Sequence, residues 1–377
     1  MRNLPTDAKI LLVTEAAGGG SGRHFVDLAQ ELSRRGHTVH AVYSRDRAEE
    51  RFESELRAVG VPIGIVPMRR GIGPWDAVSA WRLRRYIAEH GPFAVVHGHS
   101  SKAGAIARMV APRRALRIYT PHAFRTMDPT LGAPGRLFYG TIEALLDRLW
   151  TDGVIAVSSE EHDHGLDIGI APSRMFTVLN GIRPFDGGDR AALRQSIGLA
   201  PEAVAVGFVG RFTAQKNPVR FVEAIRAAAD VDPRIRGVMI GTGELQAEVE
   251  RAADARILLL GNRDAKGWFA AFDMLAMTSN YEGLPYVLIE ALHAGLPIVS
   301  TDVGGTAATI RPGVNGERLP VDVGSRGFAA ALLATLEGDR MARYAAASRE
   351  MAGAFTVEHM VDQTLDVYRT CLDRRST

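Results

Sequence analysis

Short apolar runs alternate with helix-length amphipathic segments along almost the whole chain. Seven strand-like runs come first: KILLVT (9–14), VHAVYS (39–44), VPIGIVPM (61–68), FAVVHGHS (93–100), LRIYTPHA (116–123), GVIAVSS (153–159) and MFTVLNGI (175–182). Between the first two, HFVDLAQELSRRG places Phe25, Leu28 and Leu32 on one helical face. A polar, glycine-bearing break, RPFDGGDR (183–190), interrupts the rhythm. It restarts with AVAVGFVGRF (203–212), IRGVMIG (235–241), RILLLGN (256–262), DMLAMTS (273–279) and PIVSTDV (297–303), and from about residue 324 the pattern is helical only. Near-continuous apolar strands separated by helices are those of parallel sheets covered on both faces. Two such series predict an α/β chain of two doubly wound, Rossmann-like domains, residues 1–185 and 186–355, facing each other across a cleft. Ligands of open α/β sheets bind beyond the carboxyl ends of the strands, so the strand ends are where chemistry is sought.

Composition narrows the class. A chain of 377 residues exceeds one ordinary core, and 46% hydrophobic with 23% charged residues is a globular balance. There is no run of eighteen apolar residues, and MRNLPTDAKILLVT lacks an apolar signal core, so neither a membrane span nor a secretory signal is expected. The single cysteine, Cys371, excludes an internal disulfide or a cysteine-rich metal site and fits a cytoplasmic location. The net charge of +2 is unevenly spread: residues 1–185 hold 24 Lys+Arg against 19 Asp+Glu. Residues 68–117 concentrate the excess in Arg69, Arg70, Arg82, Arg84, Arg85, Lys102, Arg108, Arg113, Arg114 and Arg117, against Asp76 and Glu89. In WRLRRYIAEH the arginines accompany Trp81, Leu83, Tyr86 and Ile87. This reads either as a patch resting on anionic lipid or as a solvated helix face. No nucleic-acid partner is expected.

Four stretches carry candidate chemistry. In EAAGGGSGRHFVDL, glycines including Gly19 and Gly20 let backbone amides approach an anion at a helix start, although neither G-x-G-x-x-G nor a P-loop is present. A tight turn without ligand is the alternative. In VHGHSSKAG, His97 and His99 are expected to face different ways, and with no third ligand at suitable spacing no zinc site is expected. Ser100, Ser101 and Lys102 there suit helix capping as well as ligand contact. In YTPHAF, His122 follows a strand end, either as a buried structural residue or facing substrate. In GFVGRFTAQKNP, Arg211 and Lys216 are placed to neutralise a diphosphate; with only four lysines in the chain, one inside a motif stands out.

The fourth stretch, SNYEGLPYVLIEALHAGLPIVS, sets Glu282 and Glu290 among apolar neighbours. Pro285 fits the first position of a helix running to about Ala294, with Gly295-Leu296-Pro297 closing it. Glu282 then lies on a loop and Glu290 on the helix, each able to accept hydrogen bonds from vicinal hydroxyls. The amides of Gly283 and Leu284 are placed for phosphate. Capping by Glu282 and an ion pair for Glu290 are the alternative. Together the four stretches describe a site for a nucleotide sugar. Charge neutralisation is assigned to Arg211 and Lys216 rather than to a metal ion.

GRFTAQKNP, GTGEL and SNYEGLPYVLIEALHAGLPIVSTDVGG resemble the motifs of family-4 retaining glycosyltransferases of GT-B architecture, the last matching their E-x7-E region. GGGSGRHFVDLA, VHGHSSKAG, YTPHAF and VLNGI resemble bacterial exopolysaccharide and lipopolysaccharide members. The resemblance implies transfer of a hexose or related sugar from a nucleoside-diphosphate sugar, UDP favoured over GDP, with no cofactor. It implies a glycan or polyprenyl-diphosphate-linked acceptor at the inner face of the cytoplasmic membrane. By the same resemblance, Arg211 and Lys216 stabilise the departing diphosphate, Glu290 holds the ribose and Glu282 the donor hexose. Backbone at Gly283, Leu284 and Pro285 holds phosphate and sugar, Gly19 and Gly20 line the cleft, and His122 approaches the donor. The final helix, about residues 356–377, resembles the segment that crosses back to the N-terminal domain. Ala123 stands where the family often has glycine, and Phe212 where leucine is common. A nucleotide-sugar epimerase or hydrolase of the same architecture is the alternative; a Rossmann dehydrogenase is disfavoured by the missing glycine fingerprint.

Overall fold

The computed structural model describes residues 8–69, 71–128 and 130–376, so Arg70 of the basic stretch lies outside the described residues. The chain divides into two compact units, Met1–Gly181 with Val357–Thr377, and Ile182–Thr356.

The first unit is built on a parallel sheet of β1 (Lys9–Thr14), β2 (Thr38–Tyr43), β3 (Ile63–Ile65), β4 (Val95–His99), β5 (Leu116–Thr120), β6 (Gly153–Ala156) and β7 (Met175–Thr177). Its order is β3-β2-β1-β4-β5-β6-β7. Alternation along β1 sends Ile10 and Leu12 to one core and Leu11 and Val13 to the other, all fully buried, which is why the run reads as continuously apolar. Burying each such side chain contributes about 1.5–3 kcal/mol. The helix Gly19–Arg34 supplies Phe25, Leu28 and Leu32 to the first core, and the C-terminal helix Val357–Ser376 adds Val361, Leu365 and Tyr368.

The second unit carries β8 (Val204–Val209), β9 (Ile235–Ile240), β10 (Ile257–Leu259), β11 (Met274–Met277), β12 (Ile298–Thr301) and β13 (Gly316–Leu319), all parallel, in the order β10-β9-β8-β11-β12-β13. The sequence pattern misses β13, because this edge strand is largely polar (GERL) and pairs on one side only. KILLVT matches β1 residue for residue, whereas several other expected strands run too far, MFTVLNGI by five residues. The residues that follow such a strand end, such as Pro121, His122 and Ala123 after β5, belong to loops.

The basic stretch is not one surface. The Arg108 side chain is fully buried against Glu143, and Arg117 is buried with a bond to the Ala111 carbonyl. Lys102 is tied to Asp76 at 2.7 Å. Arg69, Arg82, Arg84, Arg85, Arg113 and Arg114 remain exposed. Among the described residues no helix is long and apolar enough to cross a membrane.

Candidate active site

In the second unit β8 is the first strand and β11 lies beside it, where the strand order reverses; crevices at such points take ligands. Leaving β8, Phe212 buries its ring while Arg211 next to it is exposed, its guanidinium unpaired among the described residues. The GTGEL turn lies flat on this segment. A Cβ on Gly241 would stand 2.0 Å from the Gly210 carbonyl oxygen, and one on Gly243 2.4 Å from that of Phe212, so both positions require glycine. Asn217, left-handed at φ 47°, caps the helix Pro218–Ala229, and Lys216 immediately precedes it.

The loop after β11 is stapled to the Lys216 loop. Thr278 Oγ1 donates to the carbonyls of Lys216 and Asn217, and Asn280 Nδ2 to that of Ala214 at 2.7 Å. This brings Lys216 Nζ to 2.5 Å from Glu282 Oε1. Glu282, 9% exposed, also accepts from Ser279 Oγ at 2.7 Å, and a longer contact of 3.4 Å links Gln215 Nε2 to its second oxygen. Lys216 and Glu282 are therefore partners, whereas the sequence assigns them to separate parts of a ligand. Glu282 caps no helix: the helix Tyr286–His293 starts one residue later than expected, with Pro285 at its N-cap and no side-chain cap. Gly283 and Leu284 lead into it. A Cβ on Gly304 would stand 2.3 Å from the Glu282 carbonyl oxygen and one on Gly305 2.6 Å from that of Gly283, so the turn after β12 closely supports this loop. Glu290 is half-buried in the helix's second turn. Sequence reasoning missed Gln215, Ser279 and Asn280, although polar residues at an otherwise apolar strand end were the available signal.

In the first unit the corresponding reversal lies between β1 and β4. Gly19, at φ 60°, and Gly20 open the helix Gly19–Arg34 and are exposed. The Gly19 amide already donates to Glu49 Oε1 at 2.7 Å, so a side-chain carboxylate of the chain itself meets the helix start where an anion was expected. Buried Glu15 accepts from the Ala103 amide at 3.1 Å and from Ser100 Oγ; the start of the helix Ser101–Val110 is thus satisfied by Glu15 rather than by its own serines.

Residues two apart on a strand share a face, and His97 and His99 do: their rings stack at 4.1 Å, contrary to the expectation of opposite faces. His97 is a structural residue, bonded to the Tyr368 hydroxyl at 2.7 Å and to Thr120 Oγ1 at 2.8 Å. His99 instead meets His122, with Nδ1 and Nε2 3.2 Å apart, and the rings of His24 and His122 lie 4.7 Å apart. Burial lowers His24 to about 4, and holds His97, His99 and His122 well below the ordinary imidazole range.

The His122 turn explains the departure at Ala123. Both residues are left-handed, at φ 55° and 75°, and Glu161 Oε1 accepts the Ala123 amide at 2.5 Å. Burial pushes Glu161 up to about 7. A Cβ in this conformation is strained, so Ala123→Gly is expected to raise stability by up to about 1 kcal/mol, the relief being partly offset by unfolded-chain entropy. Urea unfolding checks this, and a lower midpoint would count against it.

Residues 18–184 match the family model described as Glycosyltransferase Family 4, and residues 203–338 that described as Glycosyl transferases group 1. The chain is 34% identical over 166 residues to the Vi polysaccharide biosynthesis protein VipC/TviE of Salmonella typhi, covering 41% of this chain but only 29% of that protein. It is 27% identical over 399 residues to the D-inositol 3-phosphate glycosyltransferase of Geodermatophilus obscurus, covering 93% and 84% of the two chains. Among solved structures it is similar to HepE of Anabaena in complex with UDP-glucose, with TM-score 0.80, 22% identity, and coverage of 96% of this chain and 99% of that one. WaaG, a glycosyltransferase involved in lipopolysaccharide biosynthesis, is similar with TM-score 0.73 and 20% identity over 96% and 99% of the chains. The structural likeness identifies the α/β GT-B fold, with its two parallel-sheet Rossmann-like halves. With both halves matched by its models, the chain belongs to the family-4, group-1 glycosyltransferases.

Proposed function

We propose that this glycosyltransferase moves a hexose or related sugar, with retention of configuration and without a metal ion at the diphosphate, from a UDP-sugar to a glycan or polyprenyl-diphosphate-linked acceptor in cell-surface polysaccharide synthesis. The observation that carries the reading is the exposed, unpaired Arg211 and the Lys216–Glu282 pair, on loops leaving neighbouring strands at the reversal of the second sheet. Two cations there suit a diphosphate. Glu282 Oε2, with one long contact at 3.4 Å, keeps lone-pair capacity for a sugar hydroxyl. Glu290 would take the ribose, the amides of Gly283 and Leu284 with Pro285 beside them the phosphate and sugar, and His122 the donor. The bond from C1 of the sugar to the phosphate oxygen breaks and a bond to the acceptor oxygen forms on the same face. The acceptor's proton passes to the departing phosphate, so no carboxylate base is required. Titration against UDP-, GDP-, ADP- and dTDP-sugars tests the reading: selective UDP-sugar binding or slow hydrolysis is expected, and indifference to all four would overturn it.

The N-terminal unit offers a surface for peripheral contact with anionic membrane. The helix Trp75–His90 packs on Ser101–Val110, which packs on Ala133–Trp150. Their outer faces expose Trp81 and Val78, then Met109, then Leu137, Phe138, Leu145 and Leu149, with Arg82 and Arg84 alongside. Apolar side chains bordered by arginine suit a headgroup interface. Arg82→Glu with Arg84→Glu is expected to weaken binding to phosphatidylserine vesicles most at low salt, and Leu137→Ser with Phe138→Ser at all salt concentrations. Unchanged sedimentation with vesicles in both variants would remove the membrane contact from the proposal.

A further inference from the structure

We propose that His24, His99 and His122 form a binding site for a divalent transition-metal ion of the zinc class. One nitrogen from each imidazole lies within 4.8 Å of the others. The closest pair, His99 Nδ1 and His122 Nε2, is 3.2 Å apart. Two nitrogens sharing a tetrahedral zinc, each bonded at about 2.0–2.1 Å, stand about 3.3 Å apart. A short rotation of His24 would then complete three ligands.

A further observation separates this group from an ordinary histidine pack. His24 Nδ1 lies 2.9 Å from Asn180 Oδ1, an acceptor; Nδ1 therefore carries the proton and Nε2 presents a lone pair. That is the orientation an outer partner gives a metal-bound histidine. Nitrogen-only ligation suits zinc, cobalt or nickel rather than magnesium or calcium, which need oxygen. His122 is partly exposed, so a coordination position is left open to solvent.

The test reads bound metal, so its outcome is independent of the transfer reaction. Equilibrium dialysis of the full chain against zinc, with cobalt as a spectroscopic probe, is expected to show a stoichiometric site and the visible bands of nitrogen-ligated cobalt, unaffected by excess magnesium. His99→Ala and His122→Ala should each abolish the cobalt bands, and Asn180→Ala should weaken binding about 10–100-fold. Half-buried His162→Ala, outside the cluster, should change nothing. Melting curves establish that each variant is folded; His122→Ala, at the partly exposed position, serves if His99→Ala is not. Absence of stoichiometric binding, or binding that survives His122→Ala, would overturn the site and leave a hydrogen-bonded histidine cluster.

Discussion

Lys216→Ala is expected to lower sugar transfer by about 10²–10³-fold, because a fixed cation facing charge that grows as the diphosphate departs stabilises the transition state more than the bound donor. The same change leaves Glu282 with Ser279 and the long Gln215 contact, so stability should also fall, by about 1–3 kcal/mol. Arg211→Ala provides the cleaner comparison. Its guanidinium is exposed and unpaired among the described residues, so transfer should drop by a similar factor at an unchanged melting temperature. Turnover numbers measured on the folded variants decide the matter. Near-wild-type turnover in both would remove the leaving-group role from this pair.

Arg108→Ala is expected to destabilise the N-terminal unit by about 3–5 kcal/mol, the usual consequence of leaving half of a buried ion pair uncompensated. Arg108 Nη2 meets Glu143 Oε2 at 2.7 Å with side-chain exposures of 0% and 9%. Its Nε donates to the Gly104 carbonyl at 3.0 Å, its guanidinium lies 3.9 Å from the centre of the Tyr119 ring, and the Tyr119 hydroxyl donates to Glu143. Each charge is thus desolvated and held by several groups. The double change Arg108→Met with Glu143→Leu should recover most of the loss, since it removes both charges and keeps the volume. Urea unfolding measures each variant. A loss below about 1 kcal/mol for Arg108→Ala would place the arginine among surface cations, as its position in the basic stretch first implied.

The same network gives VHGHSSKAG a packing explanation. A Cβ on Gly104 would stand 2.4 Å from the Tyr119 ring, and one on Gly98 2.6 Å from Gly104 Cα. The two glycines let strand and helix meet closely. Spacing alone could not separate the two uses, because a glycine admits backbone or ligand by the same absence of a side chain.

Period and composition determined the α/β class and the two sheets, because strands buried on both faces must be apolar throughout and polar breaks must lie outside them. Motif spacing likewise marked Arg211, Lys216, Glu282 and Glu290, residue types that stand out in apolar surroundings. Only the tertiary structure decided which side chains meet. Lys216 and Glu282 pair because Thr278 and Asn280 tie two loops together, and Arg108 is buried because Glu143 arrives from a helix thirty-five positions later. His24, His99 and His122 converge from a helix, a strand end and a left-handed turn. Those encounters join distant parts of the chain through strand order and loop anchoring, and hydrophobic periodicity, a local property, carries neither.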